Sequence, residues 1–255
     1  MKKSAAAVTA ALLFVAVPAA AKCDIQALDG ILGKRLGVDL ASLPEHFNED
    51  VMDIVCRPHP LRQAHTIVAM FHKLSDQARN DYREGLAVAV VDIQRKSIVS
   101  LYRGEVNADA TIRIARGSLS IDMARYYVTP GVRAFGVRMD IGYTARCASD
   151  QGESNYLRLF VEEGSHLRQV LDDLPMTRWY VKEGEFTCDG SKDQDYVMEY
   201  VKRSLQMLPS MTEGWFDIRV REVTYDPANG ANAKPSDATA PDRILRARGK
   251  KYVFR

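Results

Sequence analysis

The stretch Ile121–Ile141 reads IDMARYYVTPGVRAFGVRMDI, two apolar-rich runs around Thr129-Pro130-Gly131-Val132. Proline presets φ at the first central position of a turn, and glycine accepts positive φ at the second. Tyr126, Tyr127 and Val128 before the turn, and Val132, Phe135 and Val137 after it, suit a pleated surface. The stretch is predicted to be a β-hairpin at the centre of a β-rich domain. In its second strand Phe135, Val137, Met139 and Ile141 share one face, and Ala134, Gly136, Arg138 and Asp140 the other. In the first, Ile121 and Met123 alternate with Asp122 and Ala124, so two registers one residue apart stay open.

Strand signals continue on both sides. Thr66–His72 (TIVAMFH) leads through a polar connection around Ser75–Gly85 to Leu86–Ile93 (LAVAVVDI). That run is apolar without alternation, which predicts a central strand covered on both faces. Gln94-Arg95-Lys96 turns it into Ser97–Val106, and Ala110–Ile114 is a further short strand. Tyr156–Val161, Leu167–Leu171 and Met176–Val181 follow, with Gly164 and Gly184 as punctuation. Tyr196–Leu208 fits a helical stripe through Val197, Val201, Leu205 and Leu208, and equally a strand. Gly214–Thr224 is a strand with Phe216, Ile218 and Val220 on one face. No internal repeat is present. The expected class is all-β, an antiparallel β-sandwich-like domain with a short N-terminal helical cap.

The organisation expected along the chain has five parts. Residues 1–21 carry Lys2 and Lys3, a short apolar run and Ala19-Ala20-Ala21, the pattern of a cleaved secretory signal. Residues 22–56 form the helical cap, with one helix over Asp24–Leu36 and a second over Pro44–Val55. Residues 57–225 are the β-rich domain. Residues 226–242, rich in Pro, Ala, Asn and Asp, read as a flexible linker or loop. Residues 243–255 read as a basic strand or hairpin around Gly249-Lys250. That tail carries Arg243, Arg246, Arg248, Lys250, Lys251 and Arg255 and no acid, and it lacks the alternating lipid face of an outer-membrane barrel strand. Its bland reading is an edge strand guarded against pairing by Lys and Arg.

Losing the leader takes the formal charge from +2 to zero, which removes the basic excess expected of a nucleic-acid binder. No later segment is long and apolar enough to span a bilayer as a helix. Cys23, Cys56, Cys147 and Cys188 all follow the leader, and an even number in an oxidising compartment implies two disulfides. Cys23–Cys56 and Cys147–Cys188 are the favoured pairs, because each closes a loop within one half of the chain. No CxxC spacing points to zinc, and no cofactor is expected.

Catalytic signals are thin. His65 and His72 flank one strand at a spacing that puts them on opposite faces, and His46, His59 and His166 complete the five histidines. Ser118 and Ser165 lack the paired glycines of a nucleophile elbow. Glu162-Glu163 and Asp172-Asp173 are adjacent acids that point apart on a strand, so solvated loop positions are the simpler reading. Arg125, Arg133 and Arg138, with Tyr126 and Tyr127, are the candidate binding residues for an anionic ligand, since guanidinium grips carboxylate and phosphate in a fork. Cross-strand ion pairs with Asp122 and Asp140 are the competing explanation.

The segments Asp122-x-Ala124-Arg125-Tyr126, Gly131-x-Arg133-Ala134-Phe135-Gly136-Val137-Arg138 and Leu159-Phe160-Val161 carry a resemblance. Cys56-Arg57-Pro58-His59-Pro60, Gly184-Glu185-Phe186-x-Cys188-x-Gly190 and Gly214-Trp215-x-Asp217 extend it. The chain resembles a family of secreted or periplasmic bacterial envelope proteins without assigned activity. The likeness runs from about Cys56 to Val223. It implies architecture, including a strand over Arg203–Leu208 in place of the helical stripe. Thr187, the longer stretch from Cys188 to Gly214, and the position of Cys147 depart from the family pattern.

The functional expectation is an exported, non-enzymatic binding or structural module of the periplasm. Its partner would be an envelope protein or an anionic envelope ligand. The alternatives are a periplasmic hydrolase whose site forms only in the fold, or an inhibitor or immunity-type protein of an envelope enzyme.

Overall fold

The computed structural model describes residues 23–41, 50–74, 83–107, 112–142, 151–184, 197–225 and 241–254. Helical turns Ile25–Leu28 (α1) and Lys34–Leu36 (α2) are joined by a π-helical turn, Asp29–Gly33, into one short helix. The strands are β1 (Val51–Pro58), β2 (His65–His72), β3 (Arg83–Asp92), β4 (Ser97–Asn107), β5 (Leu119–Thr129) and β6 (Val132–Met139). Then come β7 (Gln151–Glu163), β8 (His166–Glu183), β9 (Val197–Thr212), β10 (Trp215–Tyr225), β11 (Arg243–Arg248) and β12 (Lys251–Phe254).

β5 and β6 are the expected hairpin, and Gly131 at its turn has φ +82°. The register is settled by Ile121 opposite Val137 and Asp122 opposite Gly136. Bulges after Asp122 and after Tyr127 then set Tyr126 and Val128 into the core. As the alternation predicts, Phe135, Val137, Met139 and Ile141 all enter one core cluster.

Two antiparallel meanders result, β1–β4 and β5–β12, joined by a single parallel bridge between Leu101 of β4 and His166 of β8. They stack. Ile67, Phe71, Leu86, Val88 and Val90 face Phe135, Val137, Met139 and Phe160 across the sandwich interior. The opposite face of β2 and β3, with Val68, Met70, Ala89 and Val91, is covered by Leu28, Ile31 and Leu32 of the helix. β3 is thus buried on both faces, which explains its unbroken apolar run. On the far face of β6 and β7, Ala134, Leu157 and Leu159 pack against Ile218, Val220, Leu245 and Tyr252, where the second meander folds over itself. Gly136 lies there without room for a side chain: an added Cβ would sit 2.7 Å from Leu157 Cδ1 and 2.9 Å from Asp122 Cβ. Gly136→Ala is expected to destabilise by about 1–3 kcal/mol in urea unfolding.

Several expectations need correction. Val51–Val55 is not helical; β-branched Val51, Ile54 and Val55 pair with β2. The buried Asp53 carboxylate there accepts the Leu119 N–H at 2.7 Å and ties β1 to β5. Leu167–Leu171 and Met176–Val181 are one strand, β8. Pro175 is tolerated inside it because β9 pairing starts only at Thr177, and the acidic interruption is neutralised where Arg158 grips Asp173 with two hydrogen bonds. Over Tyr196–Leu208 the chain is strand from Val197 onward, and the helical stripe is not formed. Its inward Arg203 is satisfied by Glu222 across the strand pair at 2.7 Å and by the Pro175 carbonyl at 2.8 Å. Of Ala110–Ile114, Ile112 makes only an isolated bridge to Gly142, while Ala110 and Thr111 lie outside the described residues. The tail is a hairpin, β11–β12, as read.

Cys23 and Cys56 are disulfide-bonded and fasten the helix to β1. The leader, the proposed Pro44 helix start, Cys147, Cys188 and most of the 226–242 loop lie outside the described residues. No helix among the described residues is long and apolar enough to cross a membrane.

Candidate functional site

Pro58 closes β1 opposite Thr66, and the chain then runs His59-Pro60-Leu61-Arg62, where Pro60 has no N–H to give to a ladder. The connection closes through the His59 N–H to His65 carbonyl bond at 2.9 Å and the His65 N–H to Arg62 carbonyl bond at 3.0 Å. His59 Nδ1 accepts from the Leu61 N–H at 3.2 Å. The imidazole proton therefore sits on Nε2, which donates to Glu162 Oε1 at 3.0 Å. Arg62 Nη2 donates to the same oxygen. Ser100 Oγ donates to Oε2 at 3.4 Å.

Glu162 ends the apolar part of β7, and its carboxylate is held from two segments, the β1–β2 connection and β4. Burial pushes its pKa upward, but the hydrogen bonds of His59 and Arg62 and the Arg62 charge outweigh that and hold it at about 2. Facing this cluster is the β5–β6 turn. His59, Pro60, Leu61, Arg62 and Glu162 enclose a cleft of about 260 Å³ with Gly131, Val132, Arg133, Ala134 and Phe135. Its rim is apolar: Leu61 is 60% exposed and Val132 42%. Tyr127, directly across the hairpin from Arg133, is also exposed.

The predicted binding residues are divided by the structure. Tyr126 and Arg138 meet on Asp122, the phenol donating to Oδ2 at 3.0 Å and Arg138 Nε to the same oxygen at 2.8 Å. Burial first, then the Asp122 charge, pushes the Tyr126 phenol up. Arg125 is exposed and apart from this pair. Arg133 bonds the bulge carbonyls of Met123 and Ala124 and lines the cleft. Glu162 was misread as a solvated loop acid. It points inward, while Glu163 points outward to Arg168 at 2.8 Å. The one trace in the sequence was an acid placed directly after the buried run Leu157–Val161.

A catalytic triad is not assembled here. Glu162 lies between His59 and Ser100, whereas a base must lie between acid and nucleophile, and Ser100 is fully buried. Ser118 Oγ accepts the Ala115 N–H and closes a turn. His65 Nε2 is 3.9 Å from Asp92 Oδ2; burial first, then Arg62, lowers its pKa. His72 is at the other end of β2 with Nδ1 on the Lys73 carbonyl, and burial lowers its pKa. In the tail, Arg243 covers the Phe254 ring and Lys251 pairs with Asp172, as befits a guarded edge strand.

Comparison with known proteins returns no matching family model, curated protein or solved structure.

The Glu162 cluster has a pH signature. Its folded pKa lies below the usual value near 4.5, so the stabilisation is present above that value and is lost as pH falls toward 2. With Arg62 partly in water, the effect is about 2 kcal/mol. Urea unfolding of wild type and Glu162→Gln is expected to differ by that much at pH 7, with the gap shrinking from pH 4.5 downward and closing only below pH 2. A constant gap would refute the assignment.

Proposed function

We propose that the protein is an exported, non-enzymatic binding module of the bacterial envelope that engages a protein partner through the cleft between the β1–β2 connection and the β5–β6 turn. The observation that carries this reading is the pairing of an apolar rim with a polar floor already fixed in place. Leu61, Tyr127 and Val132, three of the five large apolar side chains exposed among the described residues, gather at this end of the fold. Exposed apolar side chains collected in one place mark interaction surfaces. Beneath them Glu162 is ionised and saturated, which suits a rigid anchor and not a general base. A cleft of about 260 Å³ is below the usual range of small-molecule pockets, and arginines beside apolar side chains are favoured at protein interfaces. Arg62 and Arg133 would take a carboxylate of the partner. The Cys23–Cys56 disulfide and the leader-like first residues support export.

The test is comparative capture from envelope extract with wild type and a Leu61→Asp/Val132→Asp double variant of matched thermal stability. A protein retained by wild type and lost from the variant is expected. Identical captured sets, or hydrolysis of ester, peptide or glycoside substrates that His59→Ala abolishes, would overturn the reading.

A further inference from the structure

A second cleft, of about 460 Å³, opens where the two meanders touch, lined by Arg35, Ile98, Leu101, Arg103, Ser165 and His166. We infer that it binds an oxyanion carried on an apolar stem, of the alkyl phosphate type. Three separate segments build it: the end of the helix, β4, and the Gly164 turn between β7 and β8. The turn is pinned, because Leu101 N–H donates to the Ser165 carbonyl at 3.1 Å and Leu101 forms the only bridge between β4 and β8.

The polar groups are all potential donors. Arg103 Nη2 donates to the Arg35 carbonyl, which fixes one guanidinium at the mouth. The Arg35 guanidinium has no ion-pair partner among the described residues, and no carboxylate lines the cleft. Ser165 Oγ and His166 Nδ1 are 2.9 Å apart. If the hydroxyl donates to the ring, the imidazole keeps its proton on Nε2. If the ring donates, the hydroxyl proton turns outward. Either arrangement leaves a neutral donor beside two guanidiniums, a set matched to a tetrahedral oxyanion. Half-buried Ile98 and Leu101 supply an apolar wall for the stem. This site is separate from the His59–Glu162 cleft and does not depend on it.

The test is calorimetric titration of the full chain with inorganic phosphate and with octyl phosphate, and flotation with phosphatidylcholine vesicles with or without phosphatidic acid. Octyl phosphate is expected to saturate one site and to bind more tightly than inorganic phosphate. Arg35→Ala is expected to weaken it by about tenfold or more. Because Arg35 holds Arg103 through its carbonyl, that substitution spares the fold, and Arg103→Lys, which keeps charge but loses the fork, gives a second reading. Flotation that needs phosphatidic acid and fails in Arg35→Ala identifies a lipid headgroup as the source; titration without flotation identifies a soluble ester. Octyl phosphate binding that is absent, or unchanged in both variants, would overturn the inference.

Discussion

Phe160→Ala is expected to cost about 3–5 kcal/mol of unfolding free energy, the usual loss for a large aromatic removed from a closed core. Phe160 is fully buried where the sandwich interior meets β4. Its ring stacks on Phe135 at 6.0 Å and meets Tyr102 edge-on at 4.9 Å, so the cavity would border two rings that cannot both move in. The Tyr102 hydroxyl is tied to Gln169 at 2.7 Å, which further limits collapse. At about 2–4 °C per kcal/mol for a domain of this size, the thermal midpoint should fall by roughly 10 °C. Phe160→Leu, which refills part of the space, should lose clearly less. A loss below about 1 kcal/mol for the alanine variant would mean that the stacked interior is not formed as described.

The Cys23→Ser/Cys56→Ser variant is the second large effect. The bond joins residues 33 apart, and on the loop-entropy account its removal costs about 3–4 kcal/mol. The loss should be uneven. Leu28, Ile31 and Leu32 cover the outer face of β2 and β3, so the helix is the part released first. Amide exchange is expected to rise over Ile25–Leu36 well before it rises in β3, while the far-ultraviolet spectrum stays β-dominated. Unchanged exchange in the helix, or a disulfide map joining Cys23 to Cys188, would contradict this staple.

What could be read from the chain beforehand follows from the range of the forces involved. The β5–β6 hairpin was legible because its turn is chemical and local: Pro130 and Gly131 dictate φ without help from elsewhere. β3 was legible because burial on both faces leaves an unbroken apolar run. Val51–Val55 misled because apolar residues at helical spacing also satisfy a short edge strand, and only pairing with β2 decides between them. β8 looked broken at Asp172-Asp173 and Pro175. The compensation for each, Arg158 for the acid and a missing β9 partner for the proline, comes from distant chain. The site was the least legible. His59 and Glu162 are 103 residues apart, and their contact depends on the register of two different meanders. Arg133 was singled out for its chemistry and does line the cleft, whereas Arg138 went to Asp122, the cross-strand pairing that competed with ligand binding from the start.

In the proposed function, the cleft between the β1–β2 connection and the β5–β6 turn is the working end of the molecule. The most direct measurement places a photo-activatable residue at Leu61, or at exposed Glu183 near the far end of β8 as a control, in the full chain expressed in its own envelope. A discrete cross-linked adduct from Leu61, absent from Glu183 and lost when Val132→Asp is added, is the predicted result. Equal labelling from both positions, or no adduct from Leu61 at all, would contradict it.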